Sequence, residues 1–159
     1  MSDSPNNTCP FCDLPAGRVI DSNELAVVIE DAFPVSPGHT LVVSRRHVES
    51  FFDLTADEVA AVMELLSLTK ARLDERDHPD GYNVGVNVGS AAGQTVMHVH
   101  VHLIPRRAGD VPEPRGGVRN VILGKGDYTA PTSDEVRCGS EFNGGFGSTK
   151  DAALVGKLE

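Results

Sequence analysis

The sequence predicts an α+β fold: a largely antiparallel sheet of about five strands with one long helix and a short one. Three observations carry this expectation. Short β-branched runs alternate apolar and polar residues at period two. One longer segment carries apolar residues at helical spacing behind a capping box. The two most regular strand runs are joined by a loop too short for a parallel crossover, so they pair antiparallel.

The elements follow in order. Residues 24–30 (Glu-Leu-Ala-Val-Val-Ile-Glu) read as a strand flanked by polar residues. Residues 33–38 hold two prolines and a glycine and form a turn. Residues 39–44 are a second strand. Thr55-Ala56-Asp57-Glu58 caps a helix, and Val59, Val62, Met63, Leu66 and Leu73 form its inner face. Pro79-Asp80-Gly81 lies beyond it. Residues 82–88 alternate, with Asn83 and Asn87 on the polar face, and residues 89–93 are a loop of small residues. Residues 98–104 form the next strand. Residues 111–117, rich in Pro and Gly, read as an extended arm, and residues 118–123 as a short strand. From residue 131 the chain is rich in Gly, Ser and Asp, so a folded domain is expected over 1–130 and a flexible tail over 131–159.

Length and charge bound the function. A chain of 159 residues suggests one domain. A net charge of −9 argues against a nucleic acid polymer as partner, though a local phosphate site remains compatible with it. Arg106, Arg107, Arg115 and Arg119 read either as such a site or as a solvated, salt-bridged stretch. No apolar run approaches the roughly 20 residues of a membrane span. Residues 1–7 are polar and lack the apolar stretch of a signal peptide, so a cytoplasmic protein is expected. An odd count of three cysteines argues against a disulfide framework. Cys9-Pro10-Phe11-Cys12 reads as a metal knuckle or a redox pair, and no βαβ pattern stands beside it to favour the latter; Cys138 stands alone.

The most informative run is His98-Val99-His100-Val101-His102. In a strand its three imidazoles point to one face, spaced by roughly 7 Å per pair. Val99, Val101 and Leu103 then point to a core. Imidazole titrates near neutrality and serves as nucleophile, acid/base or metal ligand.

Residues 93–107 (Gly-Gln-Thr-Val-Met-His-Val-His-Val-His-Leu-Ile-Pro-Arg-Arg) resemble the motif of the histidine triad (HIT) family, and residues 37–43 (Pro-Gly-His-Thr-Leu-Val-Val) resemble its upstream strand. The resemblance covers roughly residues 8–130 and implies the HIT-like fold. It further implies a nucleotide hydrolase or nucleotidyl transferase working through a nucleotidyl-histidine, and a homodimer joined through the long helix and the strand near it. The flanks are closest to the fragile-histidine-triad (Fhit) branch, which prefers dinucleoside polyphosphates such as diadenosine tri- or tetraphosphate.

Carried onto this sequence, the family's nucleophile is His100, with His102 against the phosphate, His98 completing the triad and His39 supporting it from behind. Asn87, Gly93, Gln94, Thr95 and Val96 match the phosphate cradle, and Asp31 the ribose position, though Asp31 reads equally as a turn aspartate. Zinc-bearing relatives pair the Cys-x-x-Cys with a later His and the first triad His, giving Cys9, Cys12, His47 and His98 as ligands of a structural zinc. Many Fhit-branch members lack this knuckle, which leaves a phosphoramidase, or a transferase using phosphate in place of water, as alternatives. A nucleotide-binding regulatory protein with little turnover and a three-histidine metal module are readings of other classes.

Overall fold

The computed structural model describes residues 9–123 and Gly126. The expected tail over 131–159, with Cys138, lies outside the described residues. Five strands form one sheet: β1 (Val19–Ser22), β2 (Ala26–Glu30), β3 (Thr40–Ser44), β4 (Gly81–Val86) and β5 (His100–Arg106). Their order is β1-β2-β3-β5-β4, and every neighbouring pair is antiparallel. The single α-helix among the described residues, α1 (Ala56–Asp77), lies between β3 and β4 in the chain. The expected short helix is present only as 3-10 turns at Ala16–Arg18, Phe51–Asp53, Ser90–Ala92 and Gly117–Val121.

Helix α1 starts where the sequence directs it. Thr55 Oγ1 accepts from the Glu58 amide at 3.2 Å, and Glu58 Oε2 accepts from the Thr55 amide at 2.8 Å. Arg46 grips the same carboxylate from Nε and Nη2, each at 2.7 Å, which holds the Glu58 carboxyl down at about 2. The helix buries Val62, Leu65, Leu66, Thr69 and Leu73. Met63, expected on the inner face, is 53% exposed, because at 3.6 residues per turn it falls outside the stripe that Val62, Leu65, Leu66, Thr69 and Leu73 form.

The sheet has two working faces. Ala26, Val28, Val42, Val101 and Leu103 pack against α1. On the other face Val27, Ile29, Leu41 and Val43 form a second apolar cluster, with Phe11, Leu14 and Val19 laid over it. Each large side chain so buried contributes about 1.5–3 kcal/mol. Gly38 lets the chain enter β3 tightly: its φ is +86°, and a Cβ there would meet Leu73 Cδ2 at 3.0 Å.

One strand is added and two expectations are corrected. β1 is unexpected from the sequence, since Val-Ile-Asp-Ser is short and a register shift interrupts its alternation between Val19 and Asp21. Residues 118–123 are not a strand; residues 117–121 form a 3-10 turn entered through Gly116 at φ +85°. The histidine strand begins at His100 and runs on through Pro105, so His98 precedes it in a bend.

Candidate active site and metal centre

β5 places His100 and His102 on the face opposite α1, since Val101 and Leu103 fill the helix side. Their rings lie 5.1 Å apart. Because His98 falls in the bend, the three imidazoles do not form one row. The His98 ring, fully buried, turns toward the N-terminal knuckle. A metal held by all three triad histidines is therefore not what this geometry offers.

Hydrogen-bond partners fix the tautomers. His98 Nε2 lies 2.7 Å from the Ser44 carbonyl, which only accepts, so Nε2 carries the proton and Nδ1 a lone pair. His100 Nδ1 lies 2.8 Å from the His98 carbonyl, so Nδ1 is the protonated nitrogen and Nε2 keeps its lone pair. The Val35 amide donates to His39 Nδ1 at 3.3 Å, which puts the His39 proton on Nε2. That proton is directed to His102 Nδ1 at 3.0 Å, leaving His102 with an Nε2–H donor.

Asp31 closes this chain. Its Oδ1 accepts from the Phe33 amide at 2.8 Å, as a turn aspartate does, while Oδ2 lies 3.4 Å from His39 Nε2 and 3.9 Å from His102 Nδ1. Asp31, His39 and His102 thus lie close enough to hold an ion. The Val35 amide argues against it, because a metal on His39 Nε2 would push the ring proton onto Nδ1, where a donor already points. Burial lowers the pKa of His39 against the opposing pull of Asp31; burial first, then His100 and His39, lowers that of His102. Burial thus favours the neutral form of both rings.

The loop before β5 is braced from within. Gln94 is buried; its Oε1 accepts from the Gly89 amide at 2.7 Å, and its Nε2 donates to the Glu49 and Val96 carbonyls at 2.8 and 3.2 Å. Gln94, expected in the phosphate cradle, engages both amide protons with main-chain carbonyls. Gly93 and Thr95 are exposed at the loop surface, Val96 is half-buried, and Gly93 takes φ +86°, a turn requirement. Asn87, just past β4, lines a cavity of about 340 Å³ with His102.

The arginines resolve as a paired stretch. Arg106 donates to both carboxylate oxygens of Asp110 at 2.6 and 2.8 Å and Arg107 donates to the Pro37 carbonyl at 3.2 Å, while Arg115 and Arg119 also have partners. A cavity of about 300 Å³ opens on the helix side between Asp21, Thr40, Thr69 and Arg72, but Arg72 pairs with Asp21 at 2.7 Å and no histidine reaches it. The chemistry belongs to the opposite face.

The second group of donors is the knuckle. Cys9 Sγ and Cys12 Sγ lie 3.4 and 3.5 Å from His98 Nδ1, and Cys12 Sγ lies 3.2 Å from His47 Nδ1. All four donor atoms fall within 4.8 Å of one another. Tetrahedral zinc with ordinary Zn–S and Zn–N bonds places sulfur and nitrogen about 3.5 Å apart, so the donor set fits a metal. Loss of water around the sulfur first, and the adjacent Cys9 second, raise the Cys12 thiol above its ordinary value; a bound cation would reverse that. Burial lowers His98, against the pull of the Ser44 carbonyl, and leaves the lone pair on Nδ1 available.

Sequence reasoning missed Phe11. Held between the two cysteines, its ring meets His100 edge-on at 5.1 Å and His98 at 6.0 Å. The signal available was an aromatic inside a metal knuckle. It also missed Val35 and Val118 as cavity walls, since isolated valines in turns carry no pattern, and Ile104 of β5.

Residues 15–109 match the family model described as HIT domain. A protein of Mycobacterium tuberculosis described as AP-4-A phosphorylase is 35% identical over 107 residues, covering 64% of this chain and 55% of that protein. The crystal structure of the Caenorhabditis elegans NitFhit protein superposes with a TM-score of 0.60 at 37% identity, over 63% of this chain and 24% of that one. A structure described as a Zn-bound histidine triad family protein from Mycobacterium smegmatis does so with a TM-score of 0.59 at 37% identity, over 65% and 78%.

Proposed function

The chain belongs to the HIT domain family, and from that premise we propose that it cleaves dinucleoside polyphosphates at the α-phosphate through a covalent nucleotidyl-His100. One observation carries the reading: the His98 carbonyl holds the proton of His100 on Nδ1, which leaves Nε2 as a neutral nucleophile. The Nε2 lone pair forms the N–P bond, and the electron pair of the broken P–O bond departs with the leaving phosphate. The adduct ring is cationic, and the His98 carbonyl opposite its Nδ1–H stabilises it. His102, with Nε2–H outward, donates to the phosphoryl oxygens as charge develops. Water then attacks phosphorus, the N–P electron pair returns to Nε2, and the nucleoside monophosphate leaves.

In this reading Asn87, Gly93, Thr95 and Val96 border the phosphate, Asp31 reaches the ribose, and His39 positions His102. Gln94 acts by shaping the loop. We assign structural zinc to Cys9, Cys12, His47 and His98, where it would tie the knuckle to the segment before β5. A homodimer through α1 and β4 accords with β4 standing at the sheet edge. No helix among the described residues is long and apolar enough to cross a membrane.

The relative described as a phosphorylase favours a second reading, in which inorganic phosphate replaces water in the second step. Product identity decides. Diadenosine tri- and tetraphosphate, adenosine phosphoramidate and adenosine phosphosulfate are incubated with and without phosphate. Nucleoside monophosphate supports hydrolysis, nucleoside diphosphate formed only with phosphate supports phosphorolysis, and no turnover of the dinucleotides removes the proposal.

A further inference from the structure

Three buried side-chain oxygens among the described residues have no hydrogen-bond partner: Asp21 Oδ2, Thr40 Oγ1 and Thr69 Oγ1. All three residues line the cavity of about 300 Å³ on the helix side of the sheet, between β1, β2, β3 and α1. Buried polar groups in folded chains are almost always satisfied, so three orphans around one cavity call for a polar guest. Thr40 and Thr69 are 2% and 4% exposed. A hydroxyl inside a helix commonly bonds the carbonyl four residues back, as Ser67 does with Met63 at 2.9 Å; Thr69 does not. The register shift between Val19 and Asp21 is a second, independent device. In a regular strand Ile20 and Asp21 would face opposite sides, yet both line this cavity.

We propose that this cavity is a second binding site, separate from the histidine face, for a small zwitterion: an aliphatic amino acid with free ammonium and carboxylate groups. Charge decides the class. The wall carries two carboxylates, Asp21 and Glu30, and two guanidiniums, Arg72 and Arg76, so its formal charge is zero. The carboxylates repel a phosphate or sulfate. A divalent cation would have to displace Arg72, whose Nη1 stands 2.7 Å from Asp21 Oδ2.

An ammonium suits the inner end, because its N–H donors meet a carboxylate oxygen and two hydroxyl oxygens, each able to accept. The outer end suits a carboxylate. Arg72 and Arg76 are both 61% exposed and pair with Asp21 and Asp77. A guanidinium has five N–H donors, so each keeps donors for the guest. The exposed pair of Arg72 is of small worth, which lets its side chain turn to meet that carboxylate. Ile20 and Leu73 supply the apolar wall for an aliphatic chain.

The test is binding to the full chain, followed through its amide resonances. L-Leucine is expected to bind with a Kd of about 1 mM or tighter and to shift the amides of Asp21, Thr40 and Thr69. N-acetyl-L-leucine lacks the ammonium and L-leucinamide the carboxylate; each is expected to bind about tenfold more weakly. Thr40→Val and Thr69→Val keep the side-chain shape and delete one hydroxyl. Each is expected to weaken leucine binding about tenfold while Tm holds or rises, because an unsatisfied polar group has gone. A structural hydroxyl would give the opposite pair, a lower Tm with unchanged affinity, and that result overturns the proposal. Leucine binding that survives both substitutions places the ligand elsewhere and overturns it too. So does leucinamide or N-acetyl-leucine binding as tightly as leucine, or tighter binding of inorganic phosphate or calcium. No leucine-dependent shift at ten times the expected Kd leaves the cavity to water and removes the site.

Discussion

The main-chain oxygen of His98 and the Nδ1 of His100 stand 2.8 Å apart, while the His98 ring points the other way, its Nδ1 within 3.5 Å of two cysteine sulfurs. One residue thus serves two sites: its carbonyl sets the tautomer of the proposed nucleophile, and its side chain joins the Cys9, Cys12 and His47 donor cluster. This is possible because the strand starts at His100, not at His98.

His100→Ala removes the lone pair and leaves the loop and cavity in place. Turnover of diadenosine triphosphate is expected to fall by about four orders of magnitude, with nucleotide affinity within a few-fold of the unaltered chain. Mass spectrometry of quenched reactions should find the nucleotidyl adduct on a peptide containing His100. An adduct mapped to any other residue overturns the assignment.

In the proposed reaction His39 acts by positioning His102, whose Nδ1 lies 3.0 Å from its Nε2. His39→Ala is expected to lower kcat by about a hundredfold through misplacement of that ring, with little change in KM. Asp31→Asn should lose less, because the Val35 amide still fixes the His39 tautomer. A His39→Ala variant that raises KM alone contradicts this role.

Gln94→Ala removes the side-chain partner of the Gly89 amide and the Glu49 carbonyl in a part-buried loop, while the Val96 carbonyl keeps the His98 amide. The expected cost is about 1–2 kcal/mol by urea denaturation. Gln94→Glu should be no better, since a carboxylate cannot donate to the two carbonyls. If Gln94 served phosphate instead, stability would hold and only activity would fall.

Zinc at Cys9, Cys12, His47 and His98 should appear as one equivalent per chain by elemental analysis and vanish in Cys9→Ser. With free zinc at a thousandfold its dissociation constant, the bound ion adds about 4 kcal/mol, roughly 12 °C in Tm at about 3 °C per kcal/mol. Chelation should remove that increment and leave the sheet folded. A chain that retains zinc after Cys9→Ser places the ion elsewhere.

Acid should weaken the fold in a defined window. Burial depresses His39, His98 and His102 below the ordinary value of 6.5, so the unfolded chain takes up their protons first. Their contribution is fully present above 6.5 and is lost as pH falls through 6.5 toward the folded values. Glu58, held at about 2, keeps its contribution through this window and loses it as pH falls below its ordinary value of 4.5 toward 2. Urea midpoints of the chelated protein should therefore fall between about pH 7 and 5, less steeply in His39→Gln.

Much of this was legible in the residues. Thr55 and Glu58 marked the helix start because a capping box is local chemistry, closed within four residues. Cys9, Cys12, His47 and His98 meet as the resemblance implied. What escaped was long-range. The bend at His98 depends on the Val99 amide bonding to the Val48 carbonyl and on Ser44 receiving the ring, contacts that no period-two pattern encodes. Gln94 looked like a donor in an exposed loop, and only the approach of Glu49 from 45 residues away shows that its protons are taken. β1 was hidden because its pairing with β2 compensates for a weak sequence.

The placement of Phe11 has an optical consequence. The chain contains no tryptophan. Phe11 sits inside the Cys-x-x-Cys knuckle with its ring edge-on to His100. An indole placed there by Phe11→Trp would be the sole long-wavelength emitter, with the Cys/His donor cluster on one side and, on the other, an imidazole that gains positive charge in the proposed reaction. Its emission would follow chelation and covalent turnover as separate changes in one cuvette, giving a time-resolved view of the first chemical step without a labelled substrate.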